Sequence, residues 1–97
     1  MHRISLHLAV KENDVENHKW LDDIKFDDSC CKNENEKFML KKQLIMNELQ
    51  RISWIPKGIY ILLYDKDTLV RTIGKKQTYH LYLKNRHISA ELQVTEN

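Results

Sequence analysis

The chain has 97 residues, of which 41% are hydrophobic and 31% charged, and its formal net charge is +2. This composition is too apolar for a disordered chain, and the length suits one domain with a single core. No stretch approaches the roughly 18 consecutive apolar residues of a membrane span, and the first ten residues lack the apolar run of a secretory signal. We therefore expect a single domain over residues 1–97, located in the cytoplasm.

The N-terminal segment alternates apolar and polar residues from Ile4 to Val10, which predicts a strand with one buried face. The next stretch, about residues 11–34, is polar and acidic and is interpreted as a connector. Within it, one face of a short helix is predicted at Trp20, Leu21 and Ile24. Cys30 and Cys31 are interpreted as reduced thiols, because a disulfide between neighbours would strain the peptide that joins them.

The central segment has helical periodicity from about residue 35 to residue 52, with apolar residues that include Phe38, Ile45 and Leu49. Either Asn33 or Asn35 is expected to cap its N-terminus, since an Asn side chain accepts a hydrogen bond from an unpaired backbone N–H. The helix should end before the "PKG" sequence at residues 56–58, because Pro56 cannot continue a helix and glycine favours a turn.

The C-terminal half is predicted to form strands over residues 59–64, 69–73, 78–84 and 88–94. The first of these is apolar on both faces, which is typical of a strand inside a sheet. Residues 95–97 are expected to be a disordered tail. The predicted fold class is α+β, with the order β-α-β-β-β-β and a mixed, mostly antiparallel sheet packed on one main helix. If the first strand and residues 59–64 pair in parallel, the crossover between them through the helix is expected to be right-handed.

Two short motifs, "GIY" at residues 58–60 and "TIG" at residues 72–74, resemble the paired motifs of the GIY-YIG nucleases. The resemblance implies a hairpin that carries both motifs and a degenerate nuclease of this type. The sequence departs from the family pattern at Thr72, where the family has a Tyr. The catalytic Arg of the family has only Arg86 as a distant counterpart, and its metal-binding Glu has only Glu91.

Other catalytic and metal-binding patterns are absent from the sequence. The five histidines are interpreted as surface residues, and no nucleophile elbow or Gly-rich phosphate loop occurs. The sequence therefore predicts no metal site, no cofactor and no catalytic residues.

The first functional hypothesis is a small non-enzymatic interaction protein, such as a regulator or inhibitor. Its partner would be another protein or a second copy of the chain, held by an apolar row on one sheet face, Tyr60, Leu62 and Tyr64. The Lys-, Asn- and Ile-rich composition underlies a further hypothesis, that the protein is encoded by a phage or a mobile element.

The alternative hypothesis is a nucleic-acid-binding domain. Residues 51–97 carry eight Lys/Arg and four Asp/Glu, whereas residues 1–50 carry eight and ten. A sheet face that mixes aromatic and cationic side chains can stack bases and neutralise phosphates. The residues predicted for this face and its turns are Arg71, Lys75, Lys76, His80, Tyr82, Lys84 and Arg86.

Overall fold

Alternation along the N-terminal strand, β1 (His2–Glu12), sets one side of the domain core. Ile4, Leu6 and Leu8 are fully buried, while the residues between them point to the other face of the sheet. The strand predicted at residues 4–10 is therefore confirmed, and it extends by two residues in each direction.

The computed structural model describes residues 2–97, and within them six strands form one antiparallel sheet. The strand order is β2-β1-β6-β5-β4, and β3 pairs with β1 beyond the end of β2. The other strands are β2 (Val15–Trp20), β3 (Ile24–Phe26), β4 (Leu69–Ile73), β5 (Lys76–Leu83) and β6 (Ile88–Glu96). The helices are α1 (Glu34–Gln50) and α2 (Ile59–Leu63), so the predicted α+β class is confirmed.

Both helices contribute to one hydrophobic core. Ile45 and Leu49 of α1 and Leu63 of α2 are fully buried in the same cluster as the inward-facing residues of β1 and β6. The helices therefore cover a single face of the sheet.

The strand predicted over residues 59–64 is wrong, because Ile59–Leu63 forms the short helix α2. Gly58 has a positive φ of 87°, which turns the chain after Pro56, and the Ile59 N–H donates to the Pro56 carbonyl at 3.1 Å. Burial then follows helical spacing, since Ile59 and Leu63 are buried and Ile61 between them is exposed. Residues 59–64 therefore form no parallel pair with β1, and every strand pair within residues 2–97 is antiparallel.

The polar connector predicted at about residues 11–34 contains β2 and β3. Asn13 and Asp14 have φ values of 50° and 66°, and they form a two-residue turn that returns the chain alongside β1. Trp20 lies in β2 and Ile24 in β3, so the predicted short helix is wrong. This stretch folds by pairing with a buried strand, although it contains few apolar residues of its own.

The tail predicted to be disordered from residue 95 is also wrong, because β6 continues to Glu96. The Asn97 N–H donates to the Arg3 carbonyl at 2.8 Å, and the Arg3 N–H donates to the Asn97 carbonyl at 3.3 Å. Pairing with the start of β1 therefore holds the chain in place up to Asn97.

The N-terminus of α1 is capped by Asn33, whose side chain accepts a hydrogen bond from the Glu36 N–H at 2.9 Å. Substituting Asn33 with Ala should lower the free energy of unfolding by about 1 kcal/mol, because this N–H would lose its partner. Asn35→Ala is the matched control, since Asn35 is exposed and is not the cap. Urea unfolding of both variants tests the assignment, and equal losses would contradict it.

Candidate functional site

The second face of the sheet lies opposite the helices and is here called the open face. Its members follow from the strand register, in which His7 pairs with Trp20, Glu91 with both Ala9 and His80, and Tyr82 with Ser89. Paired residues lie on the same face of a sheet, and every second residue of a strand shares a face. The residues of the open face are therefore Arg3, Ser5, His7, Ala9, Lys11, Glu16, His18, Trp20, Lys25, Arg71, Ile73, Lys76, Thr78, His80, Tyr82, Ser89, Glu91, Gln93 and Thr95.

Three rings form a cluster at the β2 side of the open face. The ring centroids of His7 and Trp20 are 4.5 Å apart, and those of His7 and His18 are 5.5 Å apart in a stacked arrangement. His18 also lies 3.0 Å from a carboxylate oxygen of Glu16. The indole of Trp20 nevertheless stays 71% exposed. Its neighbours therefore hold a large aromatic side chain at the surface without burying it.

The opposite half of the open face, on β4 and β5, is cationic and aromatic. Tyr82 is 61% exposed, and His80, Arg71 and Lys76 are exposed around the same two strands. A depression of about 590 Å³ beside Tyr82 is bounded by Lys11, Asn13, Asp14, His87 and Ser89. Three strand spacings separate β2 from β5, so Trp20 and Tyr82 lie on strands roughly 14 Å apart.

The residues predicted to bind nucleic acid are divided among three places. Arg71, Lys76, His80 and Tyr82 lie on the open face. Lys75 lies in the β4–β5 turn and lines a groove on the helix side of the sheet. Lys84 and Arg86 lie in the 3-10 turn that follows β5. Only four of the seven residues therefore share one surface.

The predicted partner row of Tyr60, Leu62 and Tyr64 does not exist on a sheet face, because the first two lie on α2 and Tyr64 immediately follows it. Tyr64 is only 2% exposed, and its ring lies 5.8 Å from that of Phe38 and 4.6 Å from that of Tyr79. Leu62 is 47% exposed, and Tyr60 is partly buried against the core. A strand would place residues 60, 62 and 64 on one face. The helical conformation of residues 59–63 instead points Leu62 away from Tyr60.

Trp20, His7 and His18 are not among the site residues predicted from the sequence. The signal for them is an alternation in "VENHKW", which places Glu16, His18 and Trp20 on one face of a strand. His7 lies among the polar residues of β1, and its pairing with Trp20 depends on the position of the Asn13–Asp14 turn.

The hairpin implied by the nuclease resemblance does not form. Gly58 and Tyr60 belong to the start of α2, whereas Thr72 lies in β4 and Gly74 in the following turn. Arg86 lies in a 3-10 turn, and Glu91 lies on β6 opposite His80. The two motifs therefore do not occupy adjacent strands.

None of the protein families, curated proteins or solved structures compared with this chain matches it. Residues 2–97 contain no cluster of three or more His, Cys, Asp or Glu side chains placed to hold a metal ion. Across the same residues, no helix is long and apolar enough to cross a bilayer.

Burial raises the pKa of the Tyr64 hydroxyl, and the neighbouring Tyr79 raises it further. Burial also raises the pKa of Tyr79. Because both tyrosines ionise more readily in the unfolded chain, their contribution to stability is intact below the ordinary tyrosine pKa of about 10 and falls as the pH rises above it. Above pH 10, we expect each tyrosine to lower the free energy of unfolding by up to about 1.4 kcal/mol per pH unit.

Tyr64→Phe removes one of these two titrations and should flatten the loss of stability above pH 10. Tyr60→Phe serves as the control, since it removes a hydroxyl from a neighbouring, less buried ring. Urea unfolding from pH 8 to pH 11 measures the slope. Equal slopes in the parent and Tyr64→Phe would contradict the assignment.

Proposed function

We propose that this chain is a small non-enzymatic protein-interaction domain that binds its partner through the open face of the sheet. The observation that carries the proposal is the pair of exposed aromatic side chains, Trp20 and Tyr82, on a face opposite both helices. Trp, Tyr and Arg are the residues most enriched among those that dominate binding energy at protein interfaces. Arg71 adds the third of these types to the same surface.

The charges of the open face also favour a protein partner. Glu16 and Glu91 lie among the cationic residues, and Glu91 is at the centre of the sheet between Ala9 and His80. A surface that follows a phosphate backbone would gain nothing from a central carboxylate, whereas protein interfaces commonly match charges of both signs. Ile73, which is exposed at the β4 edge, adds apolar contact area.

A second copy of the chain would satisfy this charge distribution. The β2 side carries the carboxylates of Glu16 and the loop residue Asp23 together with cations, whereas the charged residues of β4 and β5 are all cationic. In a two-fold dimer of stacked sheets with its axis parallel to the strands, the β2 side of one copy faces the β4 side of the other. The side that contains carboxylates would then oppose the side that contains only cations, on both sides of the axis.

Nucleic-acid binding is the second candidate, and it is favoured by the four predicted residues that share the β4–β5 half of the open face. A single-stranded segment could stack a base on Tyr82 and place phosphates near Arg71 and Lys76. Such binding should weaken steeply as the salt concentration rises, because cations released from the nucleic acid accompany each phosphate contact.

The test combines light scattering after gel filtration with capture from lysate, in the presence and absence of nuclease. We expect a dimer, or a captured protein, that is resistant to nuclease and lost in the Trp20→Ala/Tyr82→Ala variant. Met39→Ala/Ile61→Ala is the matched control, because these side chains are 54% and 59% exposed on the two helices. Nuclease-sensitive, salt-sensitive binding lost on Arg71→Ala/Lys76→Ala would support nucleic acid instead. A monomer with no captured partner would overturn both candidates.

The proposal includes a cytoplasmic role as a regulator or inhibitor. Cys30 and Cys31 are both free, and unpaired thiols at the surface suit a reducing compartment. A domain of this size can regulate a partner simply by covering part of its surface.

A further inference from the structure

A second candidate site lies on the helix side of the sheet, away from the open face. A groove of about 720 Å³ runs between the N-terminal half of α1 and the edge of the sheet formed by β4, β5 and the ends of β1 and β6. Its volume is within the range of small-molecule sites, roughly 300–1,000 Å³. Because its cationic residues are lysines, it is called the lysine groove.

The groove exists because the sheet-facing positions of α1 are apolar in its C-terminal half and lysines in its N-terminal half. Ile45 and Leu49 at the C-terminal end of the stripe are fully buried. One and two turns earlier, the positions on the same face are Lys41 and Lys37, and both line the groove. A lysine cannot fill a core position with its charged end, so this half of the helix leaves space above the sheet.

The floor of the groove is aromatic. Tyr64 lies between Phe38 and Tyr79, with ring centroids 5.8 Å and 4.6 Å away, and all three residues line the groove. The Tyr79 hydroxyl donates to the Gln77 side-chain oxygen at 3.0 Å, which fixes the orientation of that ring. Tyr64 and Tyr79 are only 2% and 3% exposed, so most of the aromatic surface that a ligand can contact belongs to Phe38, which is partly buried.

The charges around the groove are not all neutralised. The Lys41 ammonium lies 2.8 Å from a Glu96 carboxylate oxygen, and the Lys37 ammonium lies 3.4 Å from one of Glu34. Within residues 2–97, Lys66 and Lys75 have no carboxylate oxygen within 4 Å, and the Lys66 ammonium lies 5.1 Å from the Phe38 ring centroid. Two cations without a carboxylate partner thus stand beside the aromatic floor.

We infer that the lysine groove binds a small anion with a planar aromatic body, whose ring packs against Phe38 at the exposed edge of the aromatic floor and whose anionic group meets Lys66 and Lys75. An aryl carboxylate and a nucleoside monophosphate share this chemistry. The site is independent of the proposed protein interface, because it lies on the other side of the sheet.

The first test is an NMR titration of the full chain with naphthoate, and with naphthylmethylammonium as the cationic analogue of similar shape. Naphthoate should shift the ring resonances of Phe38, Tyr64 and Tyr79, and the cationic analogue should bind at least about fivefold more weakly, because it meets uncompensated ammonium groups. Shifts confined to other residues, or equal affinity for the two probes, would overturn the inference.

The second test uses Lys66→Ala/Lys75→Ala, with Lys57→Ala/Lys84→Ala as a control that removes the same charge from exposed positions outside the groove. The groove variant should bind naphthoate about fivefold more weakly, and the control should bind it as the parent does. Unchanged spectra without ligand show that each variant is folded. A titration with adenosine monophosphate separates the two sources: tighter binding than naphthoate assigns a phosphate ligand, and weaker binding a carboxylate. No binding of either anion at the groove would contradict the proposal.

Discussion

Substituting Tyr64 with Ala should lower the free energy of unfolding by about 3–5 kcal/mol, the range for loss of a large buried ring. Tyr64 is 2% exposed and lies in ring contact with Phe38 and Tyr79. Its removal leaves a space between α1, the end of α2 and β5, and these elements cannot close it without shifting the core. Urea unfolding monitored by far-UV circular dichroism provides the measurement.

Leu62→Ala is the contrasting variant from the same apolar run. Its side chain is 47% exposed on α2, so we expect its unfolding free energy to stay within about 0.5 kcal/mol of the parent. A strand over residues 59–64 would place Leu62 and Tyr64 on the same face, and the two substitutions would then have similar effects. Comparable losses in the two variants would therefore contradict the helical assignment.

Substituting Trp20 with Ala should weaken partner binding by at least about 2 kcal/mol, or roughly 30-fold, the range of residues that dominate an interface. Tyr82→Ala should have a similar effect, because the depression beside it can receive a side chain of the partner. Neither change should cost much folding stability, since both side chains are more than half exposed. Titration calorimetry with the purified partner, or the dimer dissociation constant, measures the loss.

The control for these interface variants is Ile61→Ala, which removes an exposed apolar side chain of similar accessibility from the helix side of the molecule. We expect its affinity for the partner to match that of the parent. Loss of binding in Ile61→Ala with full binding in Trp20→Ala would assign the interface to the helices.

Strand β1 was predictable because its alternation is regular and one face is wholly apolar. Helix α1 was predictable from its apolar spacing, but Asn33 and Asn35 were equally suitable as caps, and only the observed start at Glu34 distinguishes them. Residues 59–64 were predicted incorrectly because a six-residue apolar run has no periodicity that separates a strand from a helix. The positive φ of Gly58 determines the direction of the chain there, and composition alone does not reveal it.

The candidate binding surface was only partly predictable, for a similar reason. His80 and Tyr82 could be assigned to one face from the alternation in β5, and the structure places both on the open face. Trp20 belongs to a strand with no buried residue, so the hydrophobic pattern gave no evidence of a strand there. Its position depends on pairing with β1, a non-local contact that the sequence of β2 does not specify.

The environment of Trp20 in the bound state shows whether the open face is the binding surface. Trp54→Phe leaves Trp20 as the only tryptophan, and Trp54 is partly buried against the core rather than part of the open face. In the free protein the exposed indole should emit at long wavelength and be quenched readily by iodide. In the complex or dimer, we expect emission at shorter wavelength and clear protection from iodide. Unchanged emission and quenching in a fully bound sample would contradict the assignment of the open face as the binding surface.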